Sequence, residues 1–239
     1  MGYVSFDIEI AKDNLKKGEP WEPYFSEMGI TCAATLAIPG NRLMDWHPLE
    51  QDKAKAFRPK MDQDEVCVMV QYLISQVERG NPPLAWNGAR FDFWVLMEEA
   101  PESMKHDIIA LAWGQIDPGF QMMNDLGYMC SLKAAAEGMG VEGKLDGMTG
   151  AQAPAAWKEG RERQDLVIEY VRQDVVAAHN VYQAILEKGR LEWVSGRGNQ
   201  MQWTPEIKDG RLLTVLECMQ RPQKRNPLMS REEAVAWMK

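Results

Sequence analysis

The sequence predicts a mixed α/β protein, a sheet flanked by helices, and three observations carry that prediction. Residues 3–10, 28–38 and 42–47 are short apolar or alternating runs separated by turn residues, which is the pattern of an antiparallel meander. Residues 62–79 switch to helical periodicity, with Val66, Met69, Val70, Leu73, Ile74 and Val77 on one stripe. A short apolar strand, Leu84-Ala85-Trp86, then leads into further helical segments, so the sheet is expected to continue with parallel strands.

The first strand contains Phe6-Asp7-Ile8-Glu9-Ile10. Side chains two apart on a strand share a face, so Asp7 and Glu9 project together while Phe6, Ile8 and Ile10 point into a core. Two neighbouring acids on a hydrophobic strand repel each other, and a divalent cation between them removes that cost. An edge strand with a solvated acidic face fits the same residues. Residues 11–27 are polar and broken by Gly18, Pro20 and Pro23, which predicts a loop beside the acids. Pro39-Gly40-Asn41 turns the second strand into the third. Asp62 caps the helix that follows, and Gly80 stops it.

After the strand at 84–86 comes Asn87-Gly88-Ala89-Arg90-Phe91-Asp92, read as a strand-to-helix junction with Asp92 in the first helical turn. A helix-start acid gains from the helix dipole alone. Ligand sites in α/β sheets also gather at the carboxyl ends of strands, and Asn87 and Gly88 add an amide and a close backbone approach there. Residues 101–113 predict a helix bearing His106 and Asp107 near its start. Residues 131–140 predict a short helix capped by Ser131, followed by a loop at 143–147. A long helix is expected from about 163 to 188, with Leu166, Tyr170, Val181 and Ile185 facing inward. Tyr170 and Asp174 stand one turn apart on one of its faces. Asp174 precedes Val175-Val176-Ala177-Ala178, so its neighbours want burial. An exposed Asp174 paired with Arg172 is the alternative.

Several function classes are excluded or narrowed by bulk properties. The apolar fraction of 45% and charged fraction of 26% are those of an ordinary globular protein. No apolar run reaches the roughly 18 residues of a membrane span, and no secretory leader pattern opens the chain, so a cytoplasmic protein with no membrane partner is expected. The four cysteines are scattered without a C-x-x-C, which argues for reduced core thiols and against structural zinc. A net charge of −8 argues against a protein that coats nucleic acid with its whole surface. It leaves open an enzyme that acts on nucleic acid through one local face.

D-x-E on a first strand, N-x-x-x-F-D at a strand-helix junction and Y-x-x-x-D late on a helix occur here in that order. This resembles the DEDD superfamily of 3′→5′ exonucleases with a ribonuclease-H-like fold. The tyrosine type, DEDDy, is the better resemblance, since Glu169 stands where the histidine type would have His. The N-x-x-x-F-D form is similar to that of the proofreading domain of family B DNA polymerases and its free-standing relatives. The resemblance covers residues 1–189 and leaves 190–239 as a C-terminal extension packed on or beside that domain.

The resemblance implies a catalytic set of Asp7, Glu9, Asp92, Tyr170 and Asp174, with the four carboxylates holding two Mg²⁺ or Mn²⁺ ions. All-oxygen ligation suits such hard ions, and two ions about 3.5–4 Å apart clamp a scissile phosphate. Asp7 is the candidate bridging ligand. Tyr170 would orient the attacking water, since a phenol with an ordinary pKa of about 10 is a better positioner than base. Asn87, Phe91 and Lys144 are candidate substrate contacts, although Phe91 also fits the core and Lys144 a solvated loop. Ile10 stands where the family commonly has a substrate-contacting Thr. The implied activity is hydrolysis at the 3′ end of single-stranded DNA in preference to RNA, with a polymerase or other replication or repair protein as a possible partner. Alternatives are an exoribonuclease with the same site, a non-catalytic nucleic-acid-binding module that kept the fold, and an endonuclease or resolvase.

The extension interleaves Arg190, Arg197 and Arg211 with Trp193 and Trp203, which fits either a strand-tracking surface or a small packed β unit. Ser230 and Glu233 form a capping-box pattern for a last helix, after which Trp237 and Met238 need a surface to pack on.

Overall fold

The computed structural model describes residues 2–13, 22–49, 56–143, 147–223 and 227–239. Strands β1 (Tyr3–Ile10), β2 (Ile30–Ile38) and β3 (Arg42–Trp46) form the expected antiparallel meander, and β4 (Pro83–Leu84) adds in parallel to β1. The order across the sheet is β3-β2-β1-β4. The parallel part is short: β4 has two residues, extended only by a parallel bridge from Leu84 to Ile116.

Alternation along the strands decides what covers each face. Val4, Phe6, Ile8 and Ile10 of β1 are buried in one core cluster with α1 (Gln63–Glu78), α2 (Asp92–Glu99) and α3 (Lys105–Gly114). Cys32, Ala34 and Leu36 of β2 face the other way, against Val167, Val171 and Val175 of the long helix α7 (Arg161–Lys188). Between α3 and α7 the chain forms α4 (Pro118–Leu126), α5 (Leu132–Met139) and the short α6 (Ala153–Trp157). Asp62 caps α1 with a full capping box, and Ser131 caps α5 through the Ala134 N–H.

Two inward-facing assignments are corrected. Val77 is 43% exposed and Leu166 is 40% exposed, although Gln76 and Val167 beside them are buried. Helices α4 and α6 lie in stretches with no sequence assignment.

Residues 190–239 begin with the hairpin β5 (Leu191–Val194) and β6 (Gln200–Trp203). Trp193 and Trp203 are each 3% exposed, in a cluster shared with α5 and α7, so neither ring is open to a passing strand. Arg190 and Arg211 are ion-paired to Glu192 and Glu217. The chain ends in α8 (Val215–Met219), α9 (Arg231–Ala234) and a 3-10 turn at Ala236–Met238. Val215, Cys218, Val235 and Met238 join the same core cluster as β1. Among the described residues, no helix is long and apolar enough to cross a membrane.

Candidate active site

The odd-numbered residues of β1 face α7, and this places Asp7 and Glu9 beneath that helix. Glu9 is buried and Asp7 half-buried, while Asp174 and Tyr170 come down from α7, each only 2% exposed. Asp7, Glu9 and Asp174 each offer a carboxylate oxygen, and the three atoms lie within 4.8 Å of one another.

Long-range hydrogen bonds set the register of helix on strand. The Ser5 hydroxyl donates to the Val175 carbonyl at 2.8 Å, one residue beyond Asp174. One turn further on, the Tyr3 hydroxyl meets His179 Nδ1 at 2.6 Å, and Gln183 Nε2 donates to the same hydroxyl at 2.6 Å. Arg172, an alternative partner for Asp174, instead reaches across to Asp45 of β3 through Nε and Nη2. A hydrogen bond to His47, with Arg172 alongside, holds the Asp45 carboxyl down to about 2.

Asp92 opens α2 and is 3% exposed. Strand β4 stops at Leu84, so β1 runs past it with an unpaired edge. Asp92 Oδ1 occupies that edge, accepting the Ile8 N–H at 3.3 Å. The carboxyl therefore sits against the backbone between Asp7 and Glu9. Among the described residues, the group within metal-sharing distance comprises Asp7, Glu9 and Asp174 and does not include Asp92.

The turn between β4 and α2 is built from backbone. Asn87 has φ of 69°, a left-handed conformation that asparagine tolerates better than most residues. A Cβ on Gly88 would fall 2.5 Å from both Ala85 Cβ and Gln115 Oε1, so only glycine fits. The turn is gripped from below by Asp117, a residue the sequence reading missed. Its buried carboxylate accepts the N–H groups of Asn87 at 2.9 Å, Ala89 at 3.0 Å and Phe120 at 2.9 Å. Burial pushes the Asp117 carboxyl up to about 6 despite those donors. The available signal was Asp117-Pro118, a helix cap followed by proline at the first helical position. From the other end of the chain, Trp237 Nε1 donates to the Ala89 carbonyl at 2.9 Å. Its ring stacks on Trp94, which stacks in turn on Phe25.

A pocket of about 590 Å³ opens beside the carboxylates. Its lining includes Asp7, Tyr170, Trp86, Asn87, Met129 and Met148. The remaining candidate contacts divide. Phe91 is half-buried at the edge of the main core, its ring 6.1 Å from that of Phe25. Ile10 is buried in that core on the side of β1 away from the acids, which leaves its backbone as the part able to meet a ligand. Lys144 lies outside the described residues.

The donor set suits a hard divalent cation. Three crowded carboxylates supply only oxygen ligands. With two of the three buried, cation binding also relieves their mutual repulsion.

A family model described as the RNase_H superfamily (RNase_H_2) matches residues 43–186, more than half of the chain. The match encloses Asn87, Asp92, Tyr170 and Asp174 and begins after β1. No curated protein matches the chain.

Proposed function

Because the chain belongs to the ribonuclease H superfamily, a nuclease-type fold whose members generally use divalent metals, we propose that it is a 3′→5′ exonuclease acting on single-stranded DNA ends. The observation that carries this reading is the meeting of Asp7, Glu9 and Asp174 within 4.8 Å, with Tyr170 one turn from Asp174 on the wall of an open pocket.

Asp7, Glu9, Asp92 and Asp174 would hold two Mg²⁺ or Mn²⁺ ions. When bound, the ions supply Lewis acidity to the scissile phosphate and to the attacking and leaving oxygens. The chain's own groups then orient the reactants. Tyr170 lines the pocket, and its hydroxyl would position the water that adds to phosphorus. The bond from phosphorus to the 3′-oxygen breaks, and a nucleoside 5′-monophosphate leaves. Asn87 holds the strand end, and Asp92 fixes the turn against β1 through Ile8.

The test uses 5′-labelled single-stranded DNA and RNA of matched sequence with Mg²⁺, Mn²⁺ or EDTA. The native protein and Asp7→Ala are compared. The expected result is a metal-dependent ladder shortening from the 3′ end, faster on DNA and absent in Asp7→Ala. A faster ladder on RNA would make it an exoribonuclease. Binding of either strand without cleavage by either metal would leave a nucleic-acid-binding module and overturn the enzyme.

A further inference from the structure

We infer that the pocket beside the carboxylates is a seat for one nucleobase, with the indole of Trp86 as its stacking platform. The inference rests on the nuclease reading above and names how that site takes its substrate.

Size is the first argument. A volume of about 590 Å³ is in the range of small-ligand sites, which runs from roughly 300 to 1,000 Å³. It suits a terminal nucleotide and is too small for a stretch of duplex.

The second argument is the fixed orientation of Trp86. Its Nε1 donates to the Cys130 carbonyl at 3.2 Å, so the ring's one polar atom is already satisfied by the protein. The indole is half-buried and lines the pocket, and it offers a ligand an apolar face with no donor of its own. Trp86 also directly precedes Asn87, whose N–H is held by Asp117, so the platform stands on a clamped turn.

The third argument is the chemistry of the rest of the lining. Met129 and Met148 are flexible, polarisable thioethers that adapt to flat rings of different outline. An aromatic platform with methionines around it accepts any base, because every base has a π face. Thr149 and Gln152, which also line the pocket, can meet base edges without imposing one pattern. Asp7 and Tyr170 line the same pocket, so a base seated on Trp86 brings its own phosphate to the carboxylates. The specificity implied is for an unpaired strand end of any sequence.

The experiment binds free nucleosides to the full chain in EDTA, which removes both the metal and the phosphate from the question. Deoxyadenosine and thymidine are titrated by NMR against deoxyribose as the baseless control. The Trp86 indole N–H signal is assigned by its loss in Trp86→Phe. Deoxyadenosine should shift that signal and deoxyribose should not. Trp86→Ala should weaken nucleoside binding about 10- to 100-fold, and Trp86→Phe should retain most of it. Met148→Ala, at another lining residue, should weaken it several-fold and keeps the test open if Trp86→Ala fails to fold. Equal binding of deoxyribose, unchanged affinity in Trp86→Ala, or no nucleoside binding to the native chain would overturn the seat. Nucleoside binding at Trp86 without strand cleavage would keep the seat and sink the exonuclease. Cleavage without nucleoside binding would do the reverse.

Discussion

One wall of the candidate site, Asp7, Glu9, Tyr170 and Asp174, hangs from a strand and a 28-residue helix. The other, Asn87 and Asp92, hangs from a turn with a left-handed residue in it and a two-residue strand before it. Regular hydrogen bonding and packed faces hold the first wall, and Ser5 and Tyr3 only fix its register. The second wall has no ladder of its own. Asp117 accepts two of its N–H groups, Trp237 donates to one of its carbonyls, and Asp92 borrows a donor from β1. The first wall can therefore lose a functional side chain and keep its shape. The second depends on single side chains for its shape, so damage there should show first in stability.

The largest effect expected separates the two walls by activity alone. Asp174→Ala should lower cleavage by at least about 10³-fold, since metal stabilisation of the transition state is worth several kcal/mol. Melting in EDTA should show the variant as stable as the native chain or more so, because one of three crowded charges has gone. A large fall in melting temperature would mean the carboxylate is structural and would break the comparison.

Next in size is Asp117→Ala, which strips the acceptor from three N–H groups. At about 1–3 kcal/mol for each buried donor left unsatisfied, denaturant melts should show a loss of several kcal/mol, with activity falling alongside. The pH dependence sharpens the test. The folded carboxyl is raised from 3.8 to about 6, so folding takes up a proton between those values. Its contribution is full below about 4 and lost as pH rises through about 6. The stability gap between the native chain and Asp117→Asn should shrink across that window. A gap independent of pH would show that Asp117 does not titrate there.

Trp237→Phe keeps the stack on Trp94 and removes the bond to Ala89. It should cost about 1 kcal/mol, read as a melting temperature lower by about 2–4 °C. If strand cleavage falls while stability holds, Trp237 positions the turn rather than merely covering it. Smallest is Arg172→Ala, which cuts the tie between α7 and β3. With Arg172 37% exposed, about 0.5–1 kcal/mol is expected at pH 7. Asp45 is held down to about 2, so this contribution is present above about 4 and fades as pH falls toward 2. Cleavage should not change.

The same contrast explains what could be read before the fold was known. Period two in β1 and the apolar run after Asp174 are local signals, and they place the residues of the first wall correctly. Arg172 and Asp174 are two apart in sequence, yet the strand β3 draws one outward and the sheet covers the other. The second wall was legible only as far as its own residues, Asn87 and Asp92. Asp117 lies 28 and 30 residues from the N–H groups it holds, and Trp237 lies 148 residues from its partner. A lone Asp-Pro reads as a helix cap, which it also is, and nothing local marks its second task. Val77 and Leu166 fit the helical period yet stand exposed, because period alone cannot tell what stands opposite.

The bond from Trp237 to Ala89 bears on the order in which the protein is made. Chains emerge from the ribosome amino-terminus first, at about 5–20 residues per second. Asp117, which grips the turn beside the acids, is made well before Trp237, which closes it more than one hundred residues later.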